Sequence, residues 1–144
     1  MLAKLNLAGF KEEYLMDIPE IDDQHKTYFE MLDKLGDVTS DLYKPLDDDE
    51  VDEVVDILNE LRDYAMLHFR TEETYMKDVN YPGLSAQKKE HNRFITDVIR
   101  MEADLMNGSI VPLIKIQNFM HDWYRDHIMN LDKPFSEFYS KNSK

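Results

Sequence analysis

Residues 51–78 read VDEVVDILNELRDYAMLHFRTEETYMKD, and this stretch decides the fold. Val51, Val54, Val55, Leu58, Leu61, Ala65, Phe69 and Met76 recur three and four residues apart, the spacing of one face of an α-helix. The acidic run from Asp47 to Glu50 precedes them and suits a helix N-terminus, where the backbone dipole is positive. The spacing predicts a long helix ending near Asp78. Two polar residues interrupt its apolar face, His68 and, one turn later, Glu72.

The same period extends outward in both directions. Upstream, Ile21, Tyr28, Phe29, Leu32, Leu35 and Leu42 predict a first helix over 21–42, with Asp22 or Asp23 as its cap and a break at Lys44 and Pro45. Downstream, Asn80-Tyr81-Pro82-Gly83 signals a turn, and Ser85 is placed to cap a third helix carrying Phe94, Ile95, Val98, Met101 and Leu105. Asn107-Gly108-Ser109 ends that helix. A fourth stripe, Leu113, Ile116, Met120, Tyr124, Ile128 and Leu131, begins after Pro112. It is expected to stop near Lys133, because a residue before proline avoids α geometry, and to be followed by a short tail helix over 135–139. Amphipathic helices joined by short connections bury their stripes along one axis. The expected fold is all-α, an antiparallel up-and-down four-helix bundle with a C-terminal tail helix, forming one domain over 1–144.

Composition agrees and narrows the function. Apolar residues make up 42% of the 144, with only four Gly and five Pro, which suits a helical chain long enough to bury roughly two-thirds of its unfolded surface. A formal charge of −13 repels phosphate backbones and anionic lipid, so neither nucleic acid nor a membrane surface is an expected partner. Cys is absent, so a metal would have to be held by His, carboxylates or amides. The N-terminal stretch MLAKLNLAGFKEEY has no continuous apolar run of the kind a leader needs, and a cytoplasmic location is the expectation.

Histidine placement carries the chemistry. His25, His68, His91 and His127 each lie on the apolar stripe of a different predicted helix. One such residue alone is best explained as a hydrogen-bonded core histidine, but four facing one core are hard to satisfy in that way. Glu72 joins them; an unpaired charge there would cost several kcal/mol, and a cation would remove that cost. Its neighbour Glu73 reads as an outward charge. Asp132, five residues after His127, has two readings: an N-cap for the tail helix, or an inward carboxylate. Five residues on an ideal helix is about 140° round from His127, so joint action of the two requires a π-like turn or a loosened helix end. Four nitrogens and two carboxylates exceed the needs of one tetrahedral zinc and suit two metals sharing carboxylate bridges, with iron, manganese or zinc compatible. Iron and manganese bundles of the ferritin-like class carry Glu-x-x-His, and no Glu stands three residues before any of the five histidines. His121, about 120° away from His127 on the helix, is expected at the surface or flank.

Taken in order, Ile21-Asp22-Asp23-Gln24-His25, His68-Phe69-Arg70-Thr71-Glu72-Glu73, Tyr81-Pro82 ahead of His91, and Trp123 through His127-Ile128 to Asp132 resemble the hemerythrins, and specifically the bacteriohemerythrins. The resemblance spans nearly the whole chain. It implies an oxo- or hydroxo-bridged pair of irons inside a four-helix bundle and reversible binding of dioxygen for carriage, storage or sensing. His25 and His68 would hold the oxygen-binding iron, His91 and His127 the other, with Glu72 and Asp132 bridging. Two ferrous ions would each give an electron to dioxygen, with no side-chain acid required.

The sequence departs from that pattern at Gln87, four residues before His91, where a further histidine ligand is expected. Gln87 could supply an amide oxygen to the metal, donate to a water in the vacant position, or mark a lost site. If both irons carry two histidines, the second becomes more accessible, and a di-iron peroxidase, oxidase or nitric-oxide-handling enzyme is the alternative to an oxygen-binding protein without enzymatic turnover. A sensor would need a separate protein partner. The chain is expected to be a monomer or weak oligomer.

Overall fold

The computed structural model describes residues 10–143. Positions 1–9 of the N-terminal stretch considered above lie outside the described residues. After a 3-10 turn at Glu12–Tyr14, the elements are α1 (Pro19–Leu35), α2 (Asp48–Asp78), α3 (Leu84–Met106), α4 (Leu113–His127), a π turn (Ile128–Asp132) and α5 (Lys133–Asn142). They form the expected antiparallel up-and-down four-helix bundle, α4, the π turn and α5 running on as one helical stretch. Among the described residues no helix is long and apolar enough to cross a membrane.

The start of α2 follows from its acidic run. Asp47 is the N-cap; its carboxylate accepts from the Glu50 amide at 2.8 Å, and the Glu50 carboxylate accepts from the Asp47 amide at 2.9 Å. Asn80, at φ 54°, makes the left-handed step out of α2, and Gly108, at φ 92°, makes the step after α3.

Other boundaries differ from the sequence expectation. Helix α1 ends at Leu35, not at residue 42, because Gly36 closes it with bonds to the Asp33 and Lys34 carbonyls. A side chain at 36 would meet the Gln117 amide at 2.8 Å, so the chain turns against α4 there. Leu42 keeps its apolar character because it packs on the core from the loop, where its carbonyl accepts from the Ile114 amide. Ile18, followed by Pro19, begins α1 in place of Asp22 or Asp23, and Asp22 instead accepts from the Met16 amide at 2.8 Å. Gly83, not Ser85, precedes the first residue of α3.

The fourth helix does not stop near Lys133. A proline inside an α-helix has no amide to donate, and its ring clashes with the carbonyl four residues back, here that of Asn130. The wider π turn from Ile128 to Asp132 passes this point and leads into α5, which extends to Asn142 rather than Tyr139.

The core has two parts. The larger contains Tyr28, Phe29, Leu32, Leu58, Leu61, Phe94 and Tyr124, and the smaller contains Met16, Ile18, Ile21, Met76 and Phe135. Burying each large apolar side chain contributes about 1.5–3 kcal/mol. Ile21 and Tyr28 flank His25 on α1, and Phe69 and Met76 flank Glu72 on α2. The polar residues on the stripes therefore lie between two dry layers.

Candidate metal centre

His25 comes from α1, His68 and Glu72 from α2, Gln87 and His91 from α3, His127 from the last turn of α4, and Asp132 from the π turn. All seven are buried, none exposed by more than 4%. The π turn decides Asp132. It brings the carboxylate back towards His127 despite the five-residue separation, and Asp132 makes no side-chain cap to α5, so the inward reading holds over the capping one.

The two carboxylates sit between two pairs of imidazoles. Glu72 Oε2 lies 3.4 Å from His25 Nε2 and 3.3 Å from His68 Nε2. Glu72 Oε1 lies 3.2 Å from His91 Nε2 and 3.8 Å from His127 Nε2. Asp132 repeats the arrangement, Oδ2 at 3.4 Å from His25 Nε2 and Oδ1 at 3.3 Å from His127 Nε2. Donor atoms of His25, His68, Glu72 and Asp132 converge closely enough to share one ion, as do those of Glu72, His91 and His127.

Charge explains why so polar a cluster is tolerable. Burial would raise the Glu72 carboxyl, but the surrounding imidazoles of His68, His127 and His25 hold it well below the usual carboxylate range. Burial alone would lower His25, and the adjacent carboxylates of Asp132 and Glu72, each 3.4 Å from its Nε2, outweigh it, giving about 9. His127, against the same burial, is raised to about 10 by Asp132 and Glu72. Burial lowers His68 despite the pull of Glu72, with His25 adding to the fall. The raised His25 and His127 imidazoles thus offset the buried Glu72 carboxylate. Even so, His25 Nε2, His68 Nε2, Asp132 Oδ2 and both Glu72 oxygens are buried without a hydrogen-bond partner among the described residues. Such atoms are costly to leave unpaired, and a cation is what these donors fit.

Outer contacts fix the tautomers. His91 Nδ1–H donates to Glu73 Oε2 at 2.8 Å, which leaves the lone pair of Nε2 facing inward. His68 Nδ1–H donates to Gln24 Oε1 at 2.8 Å with the same result. The Gln24 amide is itself oriented, because its nitrogen donates to Thr71 Oγ1 and the Thr71 hydroxyl donates to the Leu67 carbonyl. Glu73 is therefore not the outward charge expected of it; it turns along α2 to reach α3. Sequence reasoning gave no role to Gln24 or Thr71 either. The one signal was their place beside the histidine motifs, since a partner on another helix leaves no trace in spacing. His121 lies at the flank, with a side chain 27% exposed, its Nδ1 3.1 Å from an Asp122 carboxylate oxygen.

Gln87 points its amide nitrogen at Asp132 Oδ1, 3.1 Å away, and its amide oxygen has no partner among the described residues. Clefts of about 350 Å³ between α2 and α3, reaching His91, and of about 200 Å³ between α3 and the fourth helix, reaching His127, border this side of the cluster.

Comparison with known proteins agrees with this geometry. Residues 16–136 match the family described as Hemerythrin HHE cation binding domain. The chain is similar to a bacteriohemerythrin of Clostridium acetobutylicum, 29% identical over 129 residues that cover 88% of this chain and 96% of the relative. A bacteriohemerythrin of Methylococcus capsulatus is 30% identical over 121 residues, 84% of this chain and 87% of the relative. A crystal structure of wild-type hemerythrin superposes with a TM-score of 0.74 at 27% identity, covering 89% of this chain and 94% of that one.

Proposed function

Since the chain belongs to the hemerythrin family, we propose that it holds two irons and binds dioxygen reversibly at one of them. One observation carries the reading: each buried carboxylate presents one oxygen to His25 and the other to the His127 side. In this reading His25 and His68 hold the oxygen-binding iron, His91 and His127 hold the other, and Glu72 and Asp132 bridge them. When bound, the irons supply the electrons and the open coordination position that dioxygen needs. The protein supplies the rest. Gln24 and Glu73 keep Nε2 of His68 and His91 unprotonated, the two apolar layers exclude water, and burial keeps the bridging charges from being hydrated.

A second reading is favoured by Gln87. Its amide bonds to Asp132 in place of adding a third imidazole, and the clefts at His91 and His127 lead to the same side. A second iron with a weak amide donor or an opening suits a di-iron enzyme acting on peroxide or nitric oxide.

The test is metal content and the visible spectrum of anaerobically reduced, iron-loaded protein, before air, after air and after degassing. Two irons per chain and a charge-transfer band that fades on degassing support the oxygen carrier. Direct passage to an oxidised spectrum, with turnover of peroxide or nitric oxide, supports the enzyme. One iron or none removes both readings.

A further inference from the structure

The outer nitrogens of the histidines are not held alike. Gln24 holds that of His68 and Glu73 that of His91, whereas Nδ1 of His127 is buried with no hydrogen-bond partner among the described residues. Its other nitrogen, Nε2, faces Glu72 and Asp132 in the cluster. An imidazole with no partner on its outer nitrogen lacks the contact that would fix its orientation. Nδ1 of His25 is unpartnered too, but His25 is wholly buried, while His127 borders the cleft of about 200 Å³ between α3 and the fourth helix.

The chemistry of that cleft suits a cation. Glu90 of α3 and Asp126 of α4 each bring a carboxylate to it, and Asn130, one turn after Asp126, brings an amide. Glu90 is half-buried, and its side chain enters no hydrogen bond or ion pair among the described residues. Asp126 is exposed and accepts from the neighbouring Arg125 Nε at 3.0 Å. Trp123, stacked on His127 with ring centroids 4.6 Å apart, and Leu131 make apolar walls. Carboxylates set in walls of low dielectric focus the field of a chain whose net charge is already −13. The cleft at His91 is the contrast: Arg70 lines it, and its one carboxylate, Glu73, is already engaged by His91.

We propose that Glu90, Asp126 and Asn130 form a transit site for divalent cations, through which the metal reaches the buried centre by way of His127. Oxygen donors that are few, and half-buried or exposed, would take the ion with part of its water and let it go again. His127, whose outer nitrogen no residue pins, is the ligand that turns to admit it. This rests on the metal-centre reading above and adds to it a route of loading.

Cobalt(II) is the probe, because its visible band reports the arrival of the ion at nitrogen donors. Metal-free wild type, the double variant Glu90→Gln/Asp126→Asn, and a charge-matched control, Glu53→Gln/Asp56→Asn, about 18 Å or more along α2 from His68, are mixed with cobalt(II) at low ionic strength. Uptake rate, final cobalt per chain and Tm are measured on each. The expected result is uptake slower by about five- to tenfold in the cleft variant and within about twofold of wild type in the control, with final cobalt content and Tm unchanged. Release to excess chelator slows by the same factor, since the route is shared and the equilibrium is not altered. A cleft variant that loads as fast as the control overturns the proposal and leaves the metal centre intact. So does a lower final cobalt content in the cleft variant, because its residues would then hold the ion at equilibrium and not pass it on. One cobalt per chain in the wild type brings down the two-metal reading while the rates still decide the route, and no cobalt brings down both.

Discussion

Glu73 and Gln24 hold the outer nitrogens of His91 and His68, and Gln87 holds a carboxylate oxygen of Asp132, so three of the donors are oriented by residues from a different helix or turn. Gln87→Leu, which removes the bond to Asp132, is expected to weaken binding of the second metal by about 10–100-fold, the usual cost of losing such an outer contact. Titration of metal-free protein with ferrous iron under argon measures it. Gln87→His is expected to have the opposite effect, keeping two irons per chain and slowing autoxidation several-fold. An unchanged stoichiometry and autoxidation rate would mean that position 87 has no part in the metal chemistry. The residues that converge in the cluster were legible in sequence because a polar residue on an apolar stripe is conspicuous. Glu73 and Gln24 were not, since each is an ordinary surface-type residue until the packing of α1 on α2 and of α2 on α3 gives it an imidazole to hold.

Helix α2 supplies two of the donors, and its first turn is set by the reciprocal bonds of Asp47 and Glu50. Asp47→Ala is expected to cost about 1 kcal/mol and to lower Tm by about 2–4 °C, with iron content unchanged, because the cap lies six turns from His68. Thermal unfolding and metal analysis on the same sample check both parts. The cap and the stripe of α2 follow from local rules, and for that reason this helix was readable from end to end. The close of α1 and the passage through Pro134 were not. Leu42 continues the helical period of α1 while packing from a loop, and the π turn satisfies a tertiary demand, the placing of Asp132, against the local preference of Lys133 to leave α geometry.

The bundle as a whole buries two carboxylates among four histidines, and this couples its stability to pH and to metal. In the metal-free protein His25 and His127 hold protons more tightly than their ordinary 6.5, at about 9 and about 10. A raised histidine stabilises the fold fully below its unfolded value, and that contribution is lost as pH rises through the folded value. The Tm of metal-free protein is therefore expected to fall between pH 7 and pH 10, whereas metal-loaded protein, whose imidazoles have already lost those protons, shows no such decline. Loading at pH 7.5 is expected to release about two protons per chain, read with a pH indicator in weak buffer. A metal-free Tm that stays flat over this range, with no proton release, would place the balancing charge elsewhere.

The π turn has one more consequence. Over Ile128–Asp132 the backbone is wound more loosely than in the helices on either side, Lys133 closes it by donating to the Ile128 carbonyl, and Pro134 has no amide to offer. The fourth helix is expected to open most readily to deuterium here, and Asp132 is the residue by which a bound metal would pin it shut. Deuterium uptake over 128–134 is then a gauge of occupancy that needs no colour. It would report zinc or manganese in the centre as plainly as iron, and it would tell an empty bundle from a filled one in a mixture where both are folded.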